Sequence, residues 1–215
     1  MSGFSLLPLD ADASEDQART VVREWAAEHV PAEWRRAATD GGPTAVRRVR
    51  SRDEYEAWYP TFANAGLVVP MWPRDYGGLG VKARVARAVD AELAPLNLGR
   101  LNVLGLNLAG PTILAWGTDE QKARFLPAIV RNEEVWCQLF SEPGAGSDLA
   151  SLATRAVRDG DEWVVTGQKV WTTWAHFSHF AMLIARTDPG VPKRRGITYF
   201  PVSYTHLTLP TIYSV

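Results

Sequence analysis

The sequence predicts an α+β chain, with an all-helical N-terminal domain followed by an antiparallel β-barrel or sandwich domain. Three observations predict it. Three capping boxes, each a Ser or Thr with Gln or Glu three residues on, fall before residue 134: Ser14/Gln17, Ser51/Glu54 and Thr118/Gln121. The apolar period changes from helical to strand-like near residue 135. Asp159-Gly160 lies between two short β-rich runs, and glycine accepts the positive φ that a tight hairpin turn needs. The expected domains are therefore 1–134, helical, and 135–202, β.

Each element follows from local chemistry. After Ser14, the residues Ala18, Val21, Val22, Trp25 and Ala26 recur at helical spacing, and Pro31 marks the stop. The Gly- and Arg-rich stretch 37–50 reads as a surface loop, with Arg47, Arg48 and Arg50 solvated. After Ser51, the side chains of Tyr55, Trp58, Tyr59, Phe62 and Ala63 share a face, and Gly66 ends that helix. A helix is predicted over 81–94, ended by Pro95, and a short buried one over 102–108. Pro111 opens the next helix and Gly117 closes it. Thr118 opens a further helix that Pro127 is expected to kink or break. Strands are predicted over 135–140, 154–158, 162–166, 168–173, 180–186 and 196–202.

Composition narrows the function classes. The 215 residues carry 23 Lys+Arg against 24 Asp+Glu, a formal charge of −1. That balance argues against a basic nucleic-acid binder and against a polyanionic tail. No apolar run approaches the roughly 20 residues of a membrane helix, and the acidic start lacks a signal-peptide pattern. A single cysteine, Cys137, points to a reducing compartment, and a cytoplasmic location is the expectation.

Two segments carry candidate chemistry. Ser141-Glu142-Pro143-Gly144-Ala145-Gly146-Ser147-Asp148 follows a strand and offers glycines, hydroxyls and free backbone amides, a pattern that accommodates an anion. Gln168-Lys169-Val170-Trp171-Thr172-Thr173 offers an indole face beside two hydroxyls. Either segment alone also reads as an ordinary turn or a core strand. His176 and His179 imitate a metal pair, but four His and one distant Cys supply no ligand set, so no metal is expected.

Together with Tyr76-Gly77-Gly78-Leu79-Gly80, Gly117-Thr118-Asp119-Glu120-Gln121-Lys122 and Gly167, these motifs resemble the acyl-CoA dehydrogenase family over residues 15–202. The resemblance implies a helical domain, a middle β domain and a C-terminal helical domain, the last missing from this sequence. It implies FAD as cofactor, acyl-CoA as substrate and α,β-dehydrogenation of the thioester as the reaction. Electron-transfer flavoprotein would be the partner, and the full-length protein would be a homodimer or homotetramer. It implies cofactor-binding roles for Gln138, Phe140, Ser141, Gly146, Ser147, Trp171 and Thr173. The strand 136–141 would run beside the flavin ring, Ser141 would touch its pyrimidine edge, and Ser147 with the glycine loop would reach the pyrophosphate. Trp171 would pack on the isoalloxazine and Thr173 would bond near N5 and O4. Bulky Gln138, Leu139, Phe140 and Trp174 depart from the family pattern. The family's α-proton base is a glutamate of the C-terminal domain, so no catalytic residue is assigned here, and the motif position of Glu142 gives it a structural role. The same fold also serves an oxidase, a monooxygenase or a scaffold subunit of a heteromeric dehydrogenase, and these alternatives stay open.

The last thirteen residues, 203–215, hold no Ala, Gly or charged side chain, whereas all 28 Ala and 19 Arg lie before them. They resemble a translated sequencing adapter, and a non-native tail is the expectation.

Overall fold

The computed structural model describes residues 3–206. The chain divides between Glu133 and Glu134 into two compact units. The first is helical: α1 (Glu15–His29), α2 (Ala32–Val49), α3 (Arg52–Asn64), α4 (Ala83–Leu93), α5 (Gly110–Trp116) and α6 (Asp119–Val130). The second is built on a sheet: β1 (Trp136–Leu139), β2 (Arg155–Asp159), β3 (Glu162–Thr166), β4 (Phe180–Arg186) and β5 (Ile197–Ser203).

All three capping boxes form, at α1, α3 and α6. At α1, Ser14 Oγ accepts from the Gln17 amide at 3.1 Å while Gln17 Oε1 accepts from the Ser14 amide at 2.8 Å, so two orphan donors are satisfied. The apolar faces of α1 and α3 meet in an aromatic cluster. Trp25 lies 6.0 Å from Phe62, Trp34 meets Trp58 edge-on at 5.4 Å, and Tyr59 meets Phe62 at 5.9 Å. The indole N–H of Trp58 donates to the His29 carbonyl at 2.9 Å, so the polar edge of that ring is bonded too. Glu92 of α4 ties back to α1 through Arg23 at 2.7 Å.

Three expectations for this unit change. Residues 37–50 are not a loop. Gly42 adopts φ +61 and turns the chain, and Pro43 then starts a second helical segment within α2 whose Val46 is fully buried. Arg47 and Arg48 are exposed, but Arg50 folds over the Trp34 and Tyr55 rings at 5.1 and 4.1 Å. Pro127 does not end α6, which runs on to Val130. Buried Leu126, Ala128, Ile129 and Val130 hold that stretch in place of the missing amide bond. The short helix near 102–108 contains a π-helical turn over Gly105–Ala109 that runs directly into α5.

In the sheet unit, β4 is the central strand. It pairs with β1 in parallel, from Trp136↔Phe180 to Leu139↔Leu183, and with β5 antiparallel, from Phe180↔Ser203 to Arg186↔Ile197. β2 meets the end of β4 at Arg155↔Arg186 and carries β3 antiparallel. The sheet is thus mixed: the long crossover 140–179 brings β4 back beside β1 in the same direction. The hairpin closes at Asp159↔Glu162 with Gly160 at φ +60. Pro201 is tolerated because, among the described residues, β5 pairs with β4 alone and leaves its other edge open. Cys137, Leu139, Ala181 and Leu183 form the core of one face, with Phe200, Val202 and Tyr204 packed on it. Burial pushes the Cys137 thiol up to about 11, against a hydrogen bond with the Ser178 side chain, so it behaves as a small apolar residue.

Residues 168–173 form no strand. Trp171 takes φ +60, which ends any ladder there. Of the segment 203–215, Ser203 closes β5 and Tyr204–His206 form a 3₁₀ turn, and the rest lies outside the described residues. No helix among the described residues is long and apolar enough to cross a membrane.

Candidate functional site

The two candidate segments meet at the end of β1. Strand alternation sends Cys137 and Leu139 into the core and leaves Gln138 half-buried on the other face. Phe140 and Ser141 follow, also half-buried. The Ser141 carbonyl then accepts the Val170 amide at 2.9 Å, which sets the 167–173 segment against the loop that follows β1.

A buried ion pair lies beneath that junction. Lys169 Nζ donates to Glu142 Oε1 at 2.8 Å and to the Phe140 carbonyl at 3.0 Å, and the two side chains are 7% and 6% exposed. The Glu142 carboxylate also accepts the amides of Ala153 at 2.6 Å and Thr154 at 2.9 Å. Burial alone would raise the Glu142 pKa. The hydrogen bonds from Lys169 and from the Ala153 and Thr154 amides outweigh it and hold the group at about 2. Burial pulls Lys169 below the usual lysine range, opposed by Glu142. With both carboxylate oxygens bonded, Glu142 holds the loop and is not a free base. Gly167 completes the joint, because a Cβ there would stand 2.2 Å from Thr154 Oγ1.

The loop itself is closed by reciprocal backbone bonds between Glu142 and Ala145, at 3.0 and 3.1 Å. At its far end Asp148 pairs with Lys193 at 2.6 Å and accepts from Ser151, and these bonds keep its carboxyl below the usual range. Arg186 donates to the carbonyls of Ala150, Leu152 and Lys193 and so anchors the following turn. Between these anchors the amides of Gly144, Gly146 and Ser147 have no hydrogen-bond partner among the described residues. Gly144 and Gly146 have no left-handed φ, and a Cβ at either would meet nothing among the described residues. The protein's own packing therefore does not demand glycine there, whereas a close external ligand would.

The second segment presents Trp171, 90% exposed, and Thr173, also exposed. Trp171 and Trp174 both have left-handed backbone, at φ +60 and +66. The hydroxyls of Ser141, Ser147, Thr172 and Thr173 have no hydrogen-bond partner among the described residues. Of the predicted residues, the fold thus joins Phe140 and Ser141 to the segment bearing Trp171 and Thr173. Gly146 and Ser147 lie further along the first loop, with no hydrogen bond to the second segment. His179 is engaged elsewhere, its Nδ1 accepting the Val135 amide at 3.0 Å, and the His176 ring packs edge-on to Phe177 at 4.7 Å. Sequence reasoning gave Lys169 no role. The available signal was a lone positive charge within 167–174 and a carboxylate within the motif after β1.

Exposed amides and hydroxyls on one loop and an exposed indole beside polar groups on the next suit a large, flat, anionic ligand. Comparison with known proteins gives that surface a context. Residues 12–133 match the family model described as acyl-CoA dehydrogenase, N-terminal domain, and residues 137–210 match the acyl-CoA dehydrogenase, middle domain. The acyl-CoA dehydrogenase IpdE1 of Mycobacterium tuberculosis is 42% identical over 188 residues, which cover 87% of this chain and 48% of that protein. The chain thus spans about half the length of that curated relative. Among solved structures, the ChsE4–ChsE5 complex of M. tuberculosis superposes with a TM-score of 0.64 at 36% identity, over 89% of this chain and 46% of that one. The Tcur3481–Tcur3483 steroid ACAD gives 0.63 at 33%, over 89% and 48%. A glutaryl-CoA dehydrogenase of M. smegmatis in complex with FADH2 gives 0.56 at 25%, over 89% and 46%.

Proposed function

The chain belongs to the acyl-CoA dehydrogenase family, and from that premise we propose that it forms the flavin-binding side of an FAD-dependent enzyme that desaturates an acyl-CoA thioester between Cα and Cβ. The observation that carries this is the junction of the two loops. The Val170–Ser141 bond sets an exposed indole beside a loop whose amides at Gly144, Gly146 and Ser147 are open to a ligand. The solved relative holding FADH2 supports a flavin as that ligand.

In this reading Gln138, Phe140 and Ser141 line the ring's pyrimidine side. Gly146 and Ser147 bond the pyrophosphate through backbone amides and a hydroxyl. Trp171 would shield the ring from water, and the Thr173 hydroxyl would be available to donate to it. When bound, FAD supplies the acceptor for the hydride that leaves the substrate β-carbon. The α-proton goes to a carboxylate that the family carries in its C-terminal helical domain. Glu142 does not take that role, since its oxygens are already bonded by Lys169 and two amides. Electron-transfer flavoprotein would be the partner that accepts the electrons.

A second reading concerns assembly. Two of the solved relatives, ChsE4–ChsE5 and Tcur3481–Tcur3483, carry paired names, which supports this chain as one member of a two-chain dehydrogenase, the other member being a second chain of the same family. The likeness to the Tcur3481–Tcur3483 steroid ACAD makes a steroid-bearing acyl group the first substrate to try.

Titration of the purified chain with FAD, followed by flavin fluorescence, tests the first reading. Saturable quenching that Trp171→Ala abolishes supports it, and absence of any binding overturns it. Size-exclusion chromatography with a co-expressed second family chain tests the assembly.

A further inference from the structure

We propose that the buried Lys169–Glu142 pair is a positioning device that locks the 167–174 segment onto the 141–154 loop and thereby sets the geometry of the flavin-facing groups. The role rests on the flavin reading above, but the lock itself is a property of this chain alone.

The first argument is connectivity. Among the described residues, 167–173 makes two kinds of hydrogen bond to other segments. One is the Val170 amide to the Ser141 carbonyl, and the other is Lys169 Nζ to Phe140 and Glu142. Glu142 passes the connection on to Ala153 and Thr154, so one pair of side chains gathers three stretches of backbone. The second argument is cost. Two ions this buried must be fully bonded to be tolerated, and an apolar pair of similar volume would pack with less penalty. What an ion pair adds is direction, because Nζ and the carboxylate each fix several partners at set angles. The third argument is strain. Trp171 and Trp174 hold left-handed backbone that bulky side chains rarely adopt, and such conformations persist where the surroundings over-determine them. The ion pair is two residues before Trp171 and supplies that constraint. Lys169 and Glu142 are positioning residues here, since neither is assigned contact with flavin or substrate.

The test compares the full 215-residue chain with Lys169→Met, Glu142→Gln and the double variant. Amide hydrogen exchange is read without flavin, and FAD affinity is read by fluorescence titration. Each single variant is expected to speed exchange in both 141–154 and 167–174. Each is also expected to weaken FAD binding about tenfold, the equivalent of one charge-assisted hydrogen bond. The double variant is expected to be no worse than the worse single one. Trp163→Ala, which removes a contact with Phe200 in the same unit, is the control for general destabilisation and should leave exchange in both segments unchanged. If Lys169→Met does not fold, Lys169→Arg, which keeps the charge but not the shape, takes its place. Faster exchange in only one segment, or an FAD affinity within twofold of the parent, overturns the proposal. If the parent chain binds no FAD, the flavin reading falls, and the exchange comparison alone decides whether the lock exists.

Discussion

The aromatic cluster of the helical unit and Trp171 of the sheet unit use tryptophan in opposite ways. In the helical unit Trp58 packs against Trp25, Trp34 and Phe62, Trp25 also meets Phe62, and the Trp58 indole N–H is bonded within the chain. In the sheet unit Trp171 turns 90% of its surface outward from a strained backbone. Exposure alone does not separate the two uses, since Trp116 is 87% exposed at the end of a regular helix. The backbone does. A helix presents Trp116 at no conformational cost, whereas Trp171 is held in a rare conformation by an ion pair two residues away. Strain together with open donors sets the 141–174 region of the sheet unit apart, whereas the aromatic cluster of the helical unit is packed and bonded within the chain.

That contrast can be broken by measurement. The largest effect is expected from Lys169→Met, which strands a buried carboxylate and should cost roughly 3–5 kcal/mol in the sheet unit. Urea unfolding followed by sheet-unit hydrogen exchange checks it, and an equal loss in the helical unit would mean the two are not independent. Phe62→Ala is the mirror test. It empties the aromatic cluster and should cost about 3–4 kcal/mol in the helical unit while FAD affinity stays unchanged.

Acid gives the next effect. The folded Glu142 pKa is about 2, against an ordinary 4.5. Its contribution is therefore complete above about pH 4.5 and is lost as pH falls from there toward 2. Unfolding midpoints between pH 5 and 2.5 should fall for the parent, and Glu142→Gln should flatten that part of the profile. Ser51→Ala removes one capping box and should cost about 1 kcal/mol, seen as a shift in thermal unfolding of the helical unit. Trp171→Ala should change stability least, by no more than about 0.5 kcal/mol, because little of the ring is buried. It should nevertheless abolish flavin quenching, and that separation of stability from binding sharpens the comparison most.

Much of the fold is legible from neighbouring residues. Ser14, Ser51 and Thr118 each find a partner three residues on, so the helix starts are written locally. The Gly160 turn is equally local, and β4 follows from its own apolar run. The 37–50 stretch was illegible because Gly41, Gly42 and Pro43 signal a loop. The buried Val46 and the Arg50 stack on Trp34 and Tyr55 that keep it helical lie across the fold. The 168–173 stretch has strand composition, but the Val170 amide bonds to Ser141 in the loop after β1 and no strand ladder forms.

Local sequence sets where the three capped helices begin, where the chain changes from helix to sheet, and which two motifs are candidates for binding. Each of these depends on residues within a few positions of one another. Only the tertiary structure decided that β1 and β4 run parallel, that Trp171 is held outward, and that Lys169 meets Glu142. That pair is 27 residues apart in the chain, and its energy exists only once both charges have been withdrawn from water at one place.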